Sequence, residues 1–186
     1  MKLEEKILES KRNEQSKWHK KILGQYHASQ IYDICEYKIK PENYFKEKEH
    51  DDQSLFNFFI GTMYHDAIQK LFPKSKQEIE CRIDIDEDCQ IIGRCDLNLE
   101  FPIELKTCTN FPNKPWPSHE YQFMCYLHFL KKDKGYITYI RKDPQKVETK
   151  DFPIEYDESL MKYIIQKTRE FHEELKLIFN KKNEIS

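Results

Sequence analysis

The chain has 186 residues, of which 38% are hydrophobic, 34% charged and 13% aromatic, with a formal net charge of −2. That length suits one domain, and the aromatic share supplies large core side chains in an otherwise polar sequence. Only four glycines occur, in neither a P-loop nor a dinucleotide-binding pattern, which excludes a Gly-rich phosphate loop as the main device. The near-neutral balance counts mildly against a nucleic-acid binder, though carboxylates gathered around a metal also lower net charge.

The opening MKLEEKILESKRNEQ is charged throughout and has no apolar core, so it is not a secretory signal. No apolar run approaches the ~20 residues of a membrane helix. The expectation is a soluble, intracellular protein with no membrane association. A charged helix is predicted over 2–25, with Ile7, Leu8, Trp18, Ile22 and Leu23 as scattered apolar positions. A short helix over 28–37 follows, with Ile31, Ile34 and Cys35 on one side. Residues 39–54 are polar and interrupted by proline, and read as a mobile loop.

SLFNFFIGTMYHDAIQKLF, residues 54–72, is predicted to be a helix whose Leu55, Phe59, Met63 and Ile68 face the core. The period then changes to two. Ile79, Cys81, Ile83 and Ile85 alternate with Glu80, Arg82, Asp84 and Asp86. Glu87 and Asp88 turn the chain into a second strand through Ile91, Gly93, Cys95, Leu97 and Leu99. A break at 100–102 leads to a third through Ile103, Leu105 and Thr107. The expectation is an antiparallel meander with one apolar face. A helix over 119–132, a strand over 135–142, a partner strand within 145–154 and a helix over 157–180 complete the chain. Strand 103–107, helix 119–132 and strand 135–142 can form a parallel crossover. The fold class is α/β, a central mixed β-sheet flanked by helices.

Six cysteines, at 35, 81, 89, 95, 108 and 125, include no C-x-x-C pair. A zinc ribbon is excluded, and the simplest reading is buried thiols.

The polar face of the meander carries Asp96, Glu104 and Lys106. Glu104 and Lys106 are two apart on a strand and share a face. The return at Pro102 can bring Asp96 alongside. Two adjacent carboxylates repel unless a cation separates them, and Mg²⁺ is suited to carboxylates together with phosphate oxygens. A metal with a neighbouring lysine fits phosphodiester hydrolysis. The bland alternative is a solvated sheet face with cross-strand charge pairs.

Flanking motifs narrow the choice. GTMYH places His65 in a helix, GRCD sets Gly93 three before Asp96, ELK holds Glu104 and Lys106, and YQFMCY sets Gln122 and Tyr126 at i, i+4. This ordered set, over about residues 29 to 142, resembles the RecB-like branch of the PD-(D/E)XK nuclease superfamily. The CRISPR-associated iron–sulfur nucleases and the mitochondrial-type single-strand exonucleases belong to the same group. The resemblance implies a restriction-endonuclease-like core with added N-terminal helices. It divides a single nuclease domain into a helical part and loop (1–54), a catalytic core (55–156) and a C-terminal helix (157–186). His65, Asp96, Glu104 and the backbone carbonyl of Leu105 would be metal ligands and Lys106 the catalytic lysine. Gln122 and Tyr126 would line the site and contact nucleic acid or hold Lys106. The imidazole extends the metal choice from Mg²⁺ to Mn²⁺. SQIYDIC, ending in Cys35, also resembles the start of the iron–sulfur nucleases. No cysteine follows Cys125, so their C-terminal trio is absent and no iron–sulfur cluster is expected.

The expected substrate is DNA, single-stranded by preference, cut as by an exonuclease. Basic residues in 39–54 and in RKDPQK are candidate phosphate contacts. Trp18, Tyr26, Tyr32, Tyr44, Phe45 and Trp116 are candidate stacking platforms. Candidate protein partners are a second copy or a helicase, recombination or CRISPR-type factor. The competing function is a non-catalytic nucleic-acid-binding or assembly subunit with a nuclease-like fold.

Overall fold

A computed structural model describes residues 3–18, 21–46, 50–143, 145–146 and 148–183. In chain order the elements are α1 (Leu3–Trp18), β1 (Gln25–His27), α2 (Ile31–Cys35), α3 (Asp52–Gln69), β2 (Gln77–Asp86), β3 (Cys89–Asn98), β4 (Pro102–Cys108), α4 (Pro117–Leu130), β5 (Lys134–Arg141), β6 (Thr149–Glu155) and α5 (Glu158–Asn183). Local chemistry sets several boundaries. The Asp51 carboxylate accepts the Ser54 N–H at 2.8 Å and caps α3. Pro117 opens α4 at a position where a missing N–H costs nothing. Lys131, left-handed at φ 53°, closes it.

The elements make a mixed six-stranded sheet. β2 runs antiparallel along one edge of β3 from Gln77↔Leu97 to Asp86↔Cys89. β1 and β4 therefore share the other edge. β1 is parallel to it at residues 90–92, and β4 is antiparallel at Leu97↔Ile103 and Asn98↔Pro102 only. Beyond those two pairs β3 and β4 part, leaving a fork. β4 and β5 pair in parallel over six positions, with α4 as the crossover, and β6 closes the sheet antiparallel to β5. The mixed sheet and the crossover agree with the sequence expectation.

The main core lies between the sheet and α2, α4 and α5, and includes Tyr26, Ile31, Phe123, Leu127, Ile164 and Phe171. A smaller core of Leu97, Leu105 and Ile140 is covered by Tyr64, Ile68 and Phe72 of α3 and the turn after it. The expected single apolar face is thus divided. Ile91 and Cys95 join the main core, whereas Leu97, Ile103 and Leu105 join the smaller one.

Other expectations change as well. The helix expected over 2–25 ends at Trp18, and Gln25–His27 becomes a strand. Gly24 permits this with a left-handed φ of 85°, and a Cβ there would lie 2.0 Å from the Asp88 carbonyl oxygen. The helix expected over 28–37 is a 3₁₀ turn followed by five residues of α-helix. Met63 is 52% exposed rather than in the core. Tyr26 and Tyr44 are fully buried against each other and Phe171, so neither is a stacking platform. Burial of Tyr44 also anchors part of the segment read as a mobile loop. Residues 47–49 of that segment and the side chain of Trp18 lie outside the described residues. All six cysteines are buried and unpaired. Burial pushes the Cys35 thiol up to about 12, well above its ordinary range.

Candidate active site

The β3–β4 fork brings the motif residues together. Asp96 lies at the point of divergence, where its Oδ2 accepts the backbone N–H of Leu105 at 2.7 Å. A carboxylate thus takes the place a β3 carbonyl would hold in a continuing ladder. A residue's N–H and C=O leave a strand on the same edge, so the Leu105 carbonyl also faces the fork. The other Asp96 oxygen, Oδ1, is 3.4 Å from His65 Nδ1 and 3.4 Å from Gln69 Nε2, both on α3. Asp96 is 7% exposed and Glu104 only 2%.

Glu104 and Lys106 point to the α4 side of β4. The Lys106 ammonium lies 2.8 Å from Glu104 Oε1 and donates to Gln122 Oε1 at 2.9 Å. Gln122 Nε2 in turn donates to the Tyr126 hydroxyl at 2.9 Å. The i, i+4 spacing of Gln122 and Tyr126 produces this chain on one face of α4. Tyr126 can reach so far because residue 93 is glycine. A Cβ there would sit 2.8 Å from Tyr126 Cε1, 2.9 Å from its hydroxyl and 3.1 Å from the Ala28 methyl. Gly93 is therefore a contact point between β3 and α4, not a weak spot in the strand.

The buried carboxylates at the fork are only partly compensated. Burial, reinforced by the negative charge of Asp96, raises the Glu104 carboxyl from 4.5 to about 7. Lys106 opposes that rise from one side only. Glu104 Oε2 is sealed from solvent and has no hydrogen-bond partner. Burial alone would lower the His65 pKa, but the hydrogen bond and charge of Asp96 outweigh it and raise it. Tyr126 is held firmly in its neutral form by burial and the nearby Glu104.

No three His, Cys, Asp or Glu side chains among the described residues form a ready-made metal cage. The geometry explains this: Lys106 occupies one oxygen of Glu104, and the Leu105 amide one oxygen of Asp96. What is left fits a hard cation. It comprises the orphaned Glu104 Oε2, the loosely held Asp96 Oδ1, a neighbouring imidazole and a strand carbonyl.

The architecture has counterparts among solved structures. SSO0001 is similar over 92% of this chain and 85% of its own, with a TM-score of 0.68 and 19% identity. LHK-Exo, an alkaline exonuclease from Laribacter hongkongensis crystallised in complex with dAMP, is similar over 88% and 96%, at 0.57 and 16%. A phage-related exonuclease from Haemophilus somnus 129PT is similar over 83% and 96%, at 0.51 and 14%. The chain shares its fold, a mixed sheet flanked by helices, with these structures. No family model and no curated protein sequence matches the chain.

Within this fold, two residues beside Asp96 escaped the sequence reading. Gln69 is one helical turn after His65, and its Nε2 donates to Glu78 Oε1 at 2.7 Å as well as approaching Asp96. The i+4 spacing from His65 was a usable signal for it. Glu78 faces Asp96 across the ladder, between the pairs Gln77↔Leu97 and Ile79↔Cys95, and its backbone is left-handed at φ 49°. A non-glycine residue in that region is strained, and no sequence pattern announces it.

Proposed function

We propose that this protein is a divalent-metal-dependent deoxyribonuclease that hydrolyses phosphodiester bonds, acting as an exonuclease with a preference for single strands. The observation that carries the reading is the sealed, unpartnered Glu104 oxygen beside Asp96, with a lysine already bound to the other oxygen. Two buried carboxylates, one paired with an ammonium and the other only 3.4 Å from an imidazole, are under-compensated, and a divalent cation supplies the missing positive charge. Asp96, Glu104, the Leu105 carbonyl and His65 would hold Mg²⁺ or Mn²⁺. Bound there, such an ion polarises a phosphoryl oxygen and makes a water more acidic.

The chain's own groups do the rest. Lys106 presents a charged N–H donor at the site, where it can orient the attacking water or stabilise negative charge growing on the phosphoryl group. Gln122 fixes the direction of that ammonium, and Tyr126 fixes Gln122. His65 and Gln69 steady Asp96 from α3. Preference for single strands is supported by Phe58, exposed two turns before His65 on the same side of α3, since unpaired bases stack on exposed rings.

End-labelled single- and double-stranded DNA incubated with Mg²⁺ or Mn²⁺ tests the reading. Metal-dependent shortening is expected, faster on single strands, lost in Asp96→Ala and strongly slowed in Lys106→Ala. No cleavage with either metal, or equal cleavage by those two variants, overturns it.

A further inference from the structure

The start of α4 carries a second cluster beside Lys106 that the reaction above does not use. Lys106 and Tyr139 are direct partners in the parallel β4–β5 ladder, so their side chains rise next to each other on the α4 face. The buried Tyr139 hydroxyl accepts the backbone N–H of Trp116 at 3.0 Å and lies 2.8 Å from His119 Nδ1. The hydroxyl's own proton needs an acceptor, and among the described residues Nδ1 is the one within reach. Donation to Nδ1 goes with the neutral His119 tautomer that carries its proton on Nε2. Burial and the nearby Lys106 charge agree with a neutral ring, holding its pKa down at about 3.

The cluster is partly open to solvent, with Trp116 exposed and His119 half-buried. The sealed side-chain atoms without a hydrogen-bond partner among the described residues are Gln90 Oε1, Glu104 Oε2 and His172 Nε2. His119 Nε2 is not among them, and on this half-buried ring it opens to solvent. Trp116 packs on His119 with centroids 5.0 Å apart and meets Tyr139 edge-on at 5.7 Å, yet the residue is 45% exposed. A large ring braced from behind and bare in front, next to an N–H donor and an ammonium, matches the parts of a nucleotide.

We propose that Trp116 and His119 form a nucleotide subsite beside Lys106, in which the indole stacks on a DNA base and His119 Nε2–H donates to a phosphate oxygen of the same strand. The subsite rests on the nuclease reading for its ligand class and adds the residues that seat the strand. Tyr139 is a positioning residue here, since it fixes the His119 tautomer and touches no substrate.

The test uses the full chain with Trp18→Phe, which leaves Trp116 as the sole tryptophan. The probes are a 5′-phosphorylated oligo-dT and the same strand with abasic positions, titrated in Ca²⁺. Oligo-dT is expected to quench Trp116 fluorescence, and the abasic strand to leave it unchanged. By fluorescence anisotropy of a labelled strand, with Trp18 restored, Trp116→Ala is expected to bind ~10-fold more weakly. His119→Leu is expected to bind more weakly too, and His119→Gln to recover affinity because its amide N–H stands where Nε2–H stood. In cleavage assays the weakened variants are expected to raise KM more than they lower kcat. Absence of quenching, equal quenching by the abasic strand, or wild-type affinity in both Trp116→Ala and His119→Leu overturns the subsite. Cleavage in Mg²⁺ or Mn²⁺ with an unchanged KM in Trp116→Ala overturns the subsite and leaves the nuclease reading standing. Quenching by oligo-dT with no cleavage in either metal supports the subsite and overturns the nuclease reading.

Discussion

The tip of the β2–β3 hairpin and the β3–β4 fork carry the same chemical groups and hold them in opposite ways. At the tip, Asp84 meets Arg82 at 2.7 Å, Asp86 meets Arg169 at 2.8 Å and Asp88 meets Lys176 at 3.0 Å, all in solvent. Each of these three charges has a partner and water, so each pair contributes little. At the fork, Asp96 and Glu104 are buried, the one lysine pairs with Glu104 alone, and a Glu104 oxygen is left with no hydrogen-bond partner. A buried, incompletely paired carboxylate is costly, and folding alone gives no reason to keep one. The contrast separates a solvated acidic face from a site, and counting acidic residues would not. The hairpin tip is in fact the more acidic stretch.

The largest expected effect lies at the fork. Lys106→Ala is expected to lower the cleavage rate ~10²–10³-fold, the usual loss for a group that stabilises developing charge. Glu104→Gln keeps the shape of the side chain and should remove metal-dependent cleavage as well, measured as initial rates on end-labelled strands. The same variant sharpens the comparison through stability. Glu104 has a folded pKa raised from 4.5 to about 7. Its contribution to stability is therefore fully present below pH 4.5 and is lost as pH rises through 7. His65, also raised, acts in the same direction, above its ordinary 6.5. Without metal, the melting temperature is expected to fall between pH 5 and pH 8. Glu104→Gln should flatten that fall and melt higher than the wild type at pH 8. A wild-type melting temperature that rises over this interval in chelator sinks the account of the buried carboxylate.

Gly93→Ala has a smaller and different effect. The new methyl meets Tyr126 Cε1 at 2.8 Å and Ala28 at 3.1 Å, so the tyrosine must move. Overpacking of this kind costs ~1–3 kcal/mol, read from the urea midpoint. Because Tyr126 holds Gln122 and Gln122 holds Lys106, kcat should also fall, whereas a purely structural glycine would leave it unchanged.

Much of this was legible in the sequence for physical reasons. The period-two runs marked β2, β3 and β4, and the i, i+4 pair Gln122 and Tyr126 predicted a shared helical face that the structure uses. β1 was not legible, because three residues, Gln25–His27, carry no period and depend on the left-handed turn at Gly24. The division into two cores was hidden because it arises where β3 and β4 part, a tertiary event. Exposure of single aromatics was equally hidden. Tyr26 and Tyr44 pack inward while Trp116 stays bare, although all three belong to polar stretches. Gln69 showed its spacing, but its importance depends on the strained backbone of Glu78 across from Asp96.

The smallest expected effect is the control that gives the others meaning. Asp86→Asn removes the partner of Arg169 at the hairpin tip, a contact made at 2.8 Å between half-exposed groups. Solvent and salt already screen such a pair, so the urea midpoint should shift by less than ~1 kcal/mol of stability. Cleavage should not change, because nothing joins Asp86 to the fork. A carboxylate next to the turn and a carboxylate at the fork are the same group in sequence. If Asp86→Asn lowered cleavage as far as Glu104→Gln, net negative charge rather than the buried geometry would be controlling activity. The distinction drawn between the two regions would then fail.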